Sequence, residues 1–295
     1  MHISKKYTIF APSIGYTMQI NFQILWLRLR AYIRHLFGAW NTRGEGIHSP
    51  YLFYLTNSLL WDDNAFYCWK AIEQQRALFQ SNTQELKVKD YGTGNLGKEV
   101  DIRRVCDIAN TSLEKPEVAQ LFFRWLVFLS QQAQKPLTIF ELGTSLGITT
   151  SYLAKPHSRN RVITFEGSKE IAHQALQLWQ RLGIDNIELK IGNIDSTLSG
   201  ALSGNKVDFA FVDANHTYDA TMRYVHQLLK HIHPKTIIAI DDIHYSEEME
   251  QAWYELQQLP QVTTTIDFLH VGVLFFDPHY IQKSYRIKLK KHPLI

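Results

Sequence analysis

The chain has 295 residues, of which 45% are hydrophobic and 13% aromatic, so extensive disorder is excluded and one large core, with or without a smaller appendage, can be buried. The 31 basic and 28 acidic residues leave a net charge of only +3. This balance gives no reason to expect nucleic acid as a partner.

The N-terminal segment is predicted to be a surface or docked helix and not a targeting signal. Residues 1–17 lack the basic flank, apolar run and cleavage site of a secretory signal, and Met18 is an alternative start. Residues 24–40 are apolar and aromatic, but their arginines argue against a membrane-spanning helix. We expect a helix docked on its own domain with the arginines outward; peripheral contact with a membrane surface is the alternative.

The two cysteines, Cys68 and Cys106, have neither the spacing of a metal site nor that of a disulfide framework. A reduced, cytoplasmic location is therefore the simplest prediction. Residues 1–111 are predicted to form a helical and irregular extension without a strand series.

Residues 112–280 alternate helical and strand patterns, beginning with a helix that starts near Pro116. Five β-branched runs predict strands: Leu137–Leu142, Arg161–Glu166, Ile187–Ile191, Lys206–Asp213 and Lys235–Asp241. Two more, Gln261–Phe268 and Val271–Phe276, predict an antiparallel hairpin. The fold class is thus α/β, a Rossmann-like, doubly wound, mostly parallel seven-stranded sheet. Residues 281–295 are predicted to be a basic tail or edge strand.

Two glycine-bearing loops compete as a nucleotide site. Segment Asp90–Gly97 has more glycines, but segment Glu141–Gly147 has the context that such a site needs: a strand before it, a helix after it, and an acidic residue, Glu166, ending the next strand. The first loop, which lacks a convincing strand, is predicted to be a turn or a flap.

The residues around Gly143 also discriminate between ligands. Thr144 and Ser145 replace the closely spaced glycines that a dinucleotide pyrophosphate requires. Glu141 would repel a pyrophosphate but suits the amino group of a methionine moiety. S-adenosylmethionine is therefore favoured, and an NAD-dependent oxidoreductase is the alternative.

With these motifs the sequence resembles class I methyltransferases, especially the branch of catechol, caffeoyl-coenzyme A and macrolide-sugar O-methyltransferases. The likeness covers residues 112–276 and rests on segments 141–150, 164–167, 192–195, 211–216 and 239–242. Segments 46–50 and 90–94 resemble uncharacterised methyltransferases of Bacteroidetes. The resemblance implies that cofactor-binding residues fall in three groups: Glu141, Gly143, Thr144, Ser145 and Gly147 at the methionine end; Glu166 with Gly167 at the ribose; and Gly192, Asn193 and Ile194 at the adenine.

The reaction itself needs a deprotonated acceptor, since a phenol with a pKa near 10 is about one part in a thousand ionised at pH 7. Asp213, Asp241 and Asp242 end two neighbouring strands and are candidate ligands for Mg²⁺ or another divalent cation; the resembled metal-dependent families often have Asn where Asp242 stands. Asp213 has the alternative role of orienting the cofactor.

His216, expected to be mainly neutral at pH 7, is the candidate catalytic base beside Asp213, with His244 in reserve.

The sequence therefore predicts a methyltransferase that O-methylates a small hydroxylated acceptor with help from a metal, a histidine base, or both. A membrane-surface or scaffold protein that keeps the fold without turnover is the non-enzyme alternative. The acceptor, the choice between O- and N-methylation, and the oligomeric state, for which a homodimer is one possibility, stay open.

Overall fold

A computed structural model describes residues 22–39, 50–54, 58–62, 64–89, 100–133, 135–280 and 282–289. Its α-helices are α1 Phe22–Gly38, α2 Pro50–Tyr54, α3 Tyr67–Ser81, α4 Val105–Ser112, α5 Pro116–Gln132, α6 Ile148–Ala154, α7 Lys169–Leu182, α8 Ile194–Leu202, α9 Tyr218–Leu228 and α10 Glu247–Gln257. Its strands are β1 Glu85–Lys89, β2 Val100–Arg104, β3 Thr138–Leu142, β4 Arg161–Glu166, β5 Ile187–Ile191, β6 Phe209–Val212, β7 Ile237–Ile240, β8 Thr264–Asp267, β9 Gly272–Phe275 and β10 Lys283–Arg286.

The larger sheet has the order β10-β8-β9-β7-β6-β3-β4-β5. All neighbours in it are parallel except β9, which runs antiparallel to both β7 and β8. The predicted doubly wound, mostly parallel α/β fold with a terminal antiparallel hairpin is thus confirmed. Strand β10 adds an eighth strand from the segment that was predicted as a tail or an edge strand.

The strand order reverses direction at β3, because β4 and β5 extend the sheet on one side of it while β6 and β7 extend it on the other. In open α/β sheets such a switch point opens a crevice at the carboxyl ends of the strands. Strands β3, β6 and β7 are buried along almost their whole length, which fixes this crevice on a rigid base.

The extension contains strands, contrary to the prediction. Strands β1 and β2 pair antiparallel, with Glu85 opposite Arg104 and Lys89 opposite Val100. Leu86 and Val88 are buried and alternate with charged residues, so one face of this ribbon packs inward. The glycine-bearing segment Asp90–Gly97, predicted to be a turn or a flap, comes directly after β1 in the sequence and lies outside the described residues.

The extension shares a hydrophobic core with the main sheet layer. Trp69 and Ile72 of α3 belong to one buried cluster with Phe123 of α5, Tyr152 of α6 and Trp179 of α7. Tyr152 also donates a hydrogen bond of 2.8 Å to Glu73 of α3. The helices next to the crevice are therefore braced from outside by residues of the extension.

Helix α1 docks on the domain, as predicted, and its Arg28 and Arg30 are exposed. Arg34 pairs with Glu250 of α10, and the Arg28 guanidinium lies 4.6 Å from the centre of the Tyr245 ring. The outward face of α1 is apolar. No helix in the described ranges combines the length and the hydropathy needed to cross a membrane.

Candidate active site

A cavity of about 630 Å³ lies at the carboxyl ends of the central strands. It is lined by the residue that follows each of four strands, Gly143 after β3, Gly192 after β5, Asp213 after β6 and Asp241 after β7, and by Glu166 at the end of β4. Ligand pockets of small molecules have volumes of roughly 300–1,000 Å³. The strand order thus brings the two halves of the predicted site into one pocket.

Glu166 is fixed by backbone amides on both sides. Its Oε2 accepts a hydrogen bond from Ser145 N and its Oε1 one from Ser168 N, each at 2.9 Å. Ser168 in turn caps α7, because its hydroxyl accepts a hydrogen bond from Ile171 N. The carboxylate is held in one orientation at the wall of the cavity.

Four more of the predicted cofactor-binding residues line the cavity: Ser145, Gly167, Asn193 and Ile194. The Ser145 hydroxyl is buried and makes no hydrogen bond to the described residues. A buried hydroxyl without a partner is costly, so it is a candidate contact for a ligand.

Three predicted cofactor residues do not line the cavity: Glu141, Thr144 and Gly147. Glu141 is completely buried and accepts hydrogen bonds from the hydroxyls of Thr150, at 2.5 Å, and Thr164, at 2.6 Å. Burial raises the pKa of Glu141 to about 8, so its carboxyl is largely protonated at neutral pH. Glu141 therefore joins β3, β4 and α6 beneath the loop.

Thr144 and Gly147 shape the same loop. The Thr144 hydroxyl hydrogen-bonds to that of Thr164 at 2.6 Å. Gly147 has a φ of +79°, and a Cβ there would lie 2.8 Å from Nε1 of Trp179 and 2.9 Å from Cβ of Ala175. Close packing of α6 against α7, and not ligand contact, is what this glycine permits.

The opposite end of the cavity holds a carboxylate–histidine cluster. His216 Nε2 lies 3.3 Å from Asp213 Oδ1, and its Nδ1 lies 3.9 Å from Asp242 Oδ2. Burial acts to lower the pKa of His216, but Asp213, Asp242 and Glu114 together outweigh it and leave the pKa above 6.5. The protonated fraction of His216 at pH 7 is therefore larger than that of a free imidazole.

Glu114, just before α5, is a fifth acidic residue of the pocket, beside Glu166, Asp213, Asp241 and Asp242, and the sequence patterns did not point to it. Its buried carboxyl lies against that of Asp241, and Lys115 N donates to its Oε1 at 2.6 Å. Burial raises the pKa of Glu114 to about 7, and the charge of Asp213 adds to this rise. Burial also raises the pKa of Asp241. We read the two as a pair that shares a proton at neutral pH.

The predicted metal ligands meet at the pocket but face other groups. Asp213 and Asp242 flank His216, while Asp241 faces Glu114. Within the described ranges, no three acidic, histidine or cysteine side chains surround a common point that could hold a cation. The arrangement of these described side chains does not fit a bound metal.

His244, the reserve base, is used elsewhere. Its Nδ1 lies 3.0 Å from Glu250 and its Nε2 lies 3.1 Å from Asp267, so both ring nitrogens face carboxylates outside the cavity lining. It links the β7–α10 turn to β8 and is not positioned for proton transfer in the cavity.

Backbone strain concentrates at this site. Five non-glycine residues in the described ranges have positive φ: Ser145, Asn215, His216, Asp242 and Leu269. Four of them line the cavity, and Leu269 precedes the cavity residue His270. Such conformations cost of order 1–3 kcal/mol each and cluster where a site must be pre-shaped.

Several cavity residues lie outside the motif segments of the sequence: Lys115, Tyr224, Tyr245 and His270. The Asn215 side-chain amide donates to the Tyr224 hydroxyl at 2.7 Å. The rings of Tyr245 and His216 have centres 6.0 Å apart. Tyr245 thus forms an aromatic wall beside the candidate base.

Comparison with known proteins shows which family the cavity-bearing part of the chain resembles. Residues 140–243 match the family model described as a methyltransferase domain. Two curated proteins of Dictyostelium discoideum, named "Probable caffeoyl-CoA O-methyltransferase 2" and "Probable caffeoyl-CoA O-methyltransferase 1", are 35% and 34% identical to it over 127 residues, or 41% of this chain. The chain spans about half of each relative, 52% and 53%.

A solved structure supports the fold. The crystal structure of a "putative O-methyltransferase" from Klebsiella pneumoniae superimposes with a TM-score of 0.52 at 16% identity, covering 72% of this chain and 91% of that one. The likeness to class I S-adenosylmethionine-dependent O-methyltransferases that the motifs predict is thus confirmed as a likeness, carried by residues 140–243 and by the fold.

Proposed function

We propose that the protein is an S-adenosylmethionine-dependent methyltransferase that methylates a hydroxyl group of a small acceptor. The observation that carries this proposal is the single cavity in which an anchored carboxylate, Glu166, and the cluster of Asp213, His216 and Asp242 lie at opposite ends. The match to a methyltransferase domain and the O-methyltransferase names of the relatives support it.

The residues at the nucleoside end suit this cofactor. The fixed Glu166 carboxylate has lone pairs for two ribose hydroxyls, and Gly143 and Gly192 leave room beside the backbone. The unpaired Ser145 hydroxyl and the acidic groups near Asp213 suit the amino acid end with its ammonium group. When bound, S-adenosylmethionine supplies a methyl group on a positively charged sulfur.

His216 is the proposed base. Asp213 lies near enough to Nε2 to accept a hydrogen bond from it, so that Nε2 carries the proton of the neutral ring. Nδ1 is then free of a proton and can accept that of the acceptor hydroxyl. Removal of that proton would prepare the acceptor oxygen for the methyl group that bound S-adenosylmethionine would supply. Asp242, 3.9 Å from Nδ1, then stabilises the imidazolium.

The acidic surroundings also disfavour an anionic group on the acceptor beside His216. Asp213, Asp241, Asp242 and Glu114 all contribute to this part of the pocket, whereas Tyr245 offers an aromatic face. A neutral hydroxylated acceptor with a planar or apolar body is therefore the class that the pocket fits best.

Methyl transfer tests the proposal directly. The protein would be incubated with S-adenosylmethionine carrying a labelled methyl group and with a panel of neutral phenols, sugars and matched amines. We expect labelled product with at least one hydroxylated compound and its loss in His216→Gln. Transfer to amines alone would overturn the O-methylation part, and NAD displacing S-adenosylmethionine from the pocket would favour the oxidoreductase alternative.

A further inference from the structure

The outward face of α1 is apolar, the reverse of an ordinary surface helix. Six large side chains are at least 40% exposed: Trp26, Leu29, Tyr32, Ile33, Leu36 and Phe37. At about 100° per residue they fill one continuous arc of about 140°. We call this surface the apolar arc. Contiguous exposed apolar surfaces of this kind mark contact with a protein or a membrane.

The apolar arc is not what holds α1 on the domain. Leu27, Ala31 and His35 on the other side are buried, and the centre of that side lies about 180° from the centre of the arc. His35 contacts the backbone of Ile287 and lies 3.7 Å from Asp267. The helix therefore has two contact faces, of which only one is used within the described chain.

The charges around the apolar arc are positive. Arg28 and Arg30 border it, one on each side, and the helix has no acidic residue. At its C-terminal end the Arg286 guanidinium lies 3.1 Å from the Cβ position of Gly38, and Lys288 follows two residues later. An aromatic and aliphatic face bordered by arginines suits the interface of an anionic bilayer, where rings enter the headgroup region and guanidinium groups reach phosphates.

A second copy of the chain fits the apolar arc less well. From Trp26 to Phe37 the arc is about 17 Å long, and a helix face about 10 Å wide gives a footprint on the order of 200 Å². Stable protein interfaces bury about 800 Å² on each partner. Two arcs facing each other would also bring their bordering arginines together.

From these observations we propose that α1 docks the protein on an anionic membrane surface. Arg28, at one border of the arc, lies over Tyr245, which lines the cavity. Docking through the arc would thus bring the Tyr245 side of the cavity close to the bilayer. The proposal does not depend on the catalytic one, because it uses only the outward face of α1.

Flotation of the full chain with vesicles tests this. The probes are vesicles of phosphatidylcholine alone and of phosphatidylcholine with phosphatidylglycerol. We expect the wild type to bind the anionic vesicles. The double variant Trp26→Ser, Phe37→Ser should bind them at least about tenfold more weakly, because each exposed ring contributes more than about 1 kcal/mol when buried. Arg30→Glu should weaken binding to the anionic vesicles as well.

The matched control is Tyr67→Ser with Tyr254→Ser, which removes two rings that are 87% and 65% exposed outside α1. It should float like the wild type, and all variants should keep the wild-type melting temperature. Absence of wild-type flotation, or equal loss in the control, would overturn the proposal. If the wild type does not float, and light scattering shows a wild-type dimer that is lost in Trp26→Ser with Phe37→Ser, the arc binds a second copy of the chain instead.

Discussion

A Cβ atom built on Gly143 would lie 2.0 Å from the carbonyl oxygen of Asp213. Gly143 directly follows β3 and begins the loop that leads to α6, and Asp213 begins the loop that carries the candidate base. The two ends of the cavity therefore touch backbone to backbone, at a distance that only glycine allows. Gly143 also has a φ of +108°, which other residues rarely adopt.

Gly143→Ala should therefore damage both folding and the cavity. Gly183 is the matched control, because it also has a positive φ, +57°, but nothing lies within 4 Å of its Cβ position. We expect Gly183→Ala to lower the free energy of unfolding by roughly 1–2 kcal/mol, and Gly143→Ala to lower it by at least about 2 kcal/mol more. Urea unfolding measures both; equal losses would contradict the close contact with Asp213.

Glu141→Gln separates a structural role from ligand binding. The raised pKa of Glu141 means that the folded protein holds a proton that the unfolded chain releases from about pH 4.5 upward, so its contribution to stability falls as pH rises from about 4.5 to about 8. A neutral amide avoids that loss. We expect the variant to unfold at higher urea than the wild type at pH 8, to lose this advantage near pH 4, and to bind S-adenosylmethionine unchanged. Abolished binding in a folded variant would restore the sequence prediction that Glu141 contacts the cofactor.

The pH dependence of turnover tests the assignment of the base. Because the pKa of His216 is raised, the neutral form accumulates only above the usual pH, and the rate should increase with pH through that raised pKa. Asp242→Asn removes one of the charges that raise it, so the rising limb should move to lower pH. His216→Gln should lower kcat by roughly 10²- to 10⁴-fold. Two results together would exclude His216 as the base: a pH–rate profile that is unchanged in Asp242→Asn, and near-normal turnover in His216→Gln.

Chelation distinguishes a histidine base from metal assistance. With the carboxylates turned toward His216 and Glu114, we expect turnover to persist in excess EDTA and to show no stimulation by Mg²⁺. Activity lost in EDTA and restored by Mg²⁺ would show instead that Asp213, Asp241 and Asp242 converge on a cation during turnover. Cofactor binding measured in the same samples separates loss of chemistry from loss of the fold.

Sequence patterns predicted the central sheet well because hydrophobic runs, loop glycines and strand-end acids repeat at regular intervals there. Strands β1 and β2 were missed because most of their residues are charged; only the alternation of Leu86 and Val88 marks an inward face. Glu114 was missed because its burial depends on where α5 begins relative to β6 and β7, which no local pattern encodes. Glu141 was assigned to the ligand because a motif gives a residue's position but not the direction of its side chain.

The central claim is that one pocket binds S-adenosylmethionine through Glu166. Isothermal titration of the wild type and of Glu166→Ala with S-adenosylmethionine and with its demethylated product tests it most directly. We expect the wild type to bind both with one site per chain, and the folded variant to bind at least about tenfold more weakly, because a carboxylate that accepts two hydrogen bonds is removed. No heat from either ligand with folded wild-type protein, or unchanged affinity in Glu166→Ala, would contradict the account.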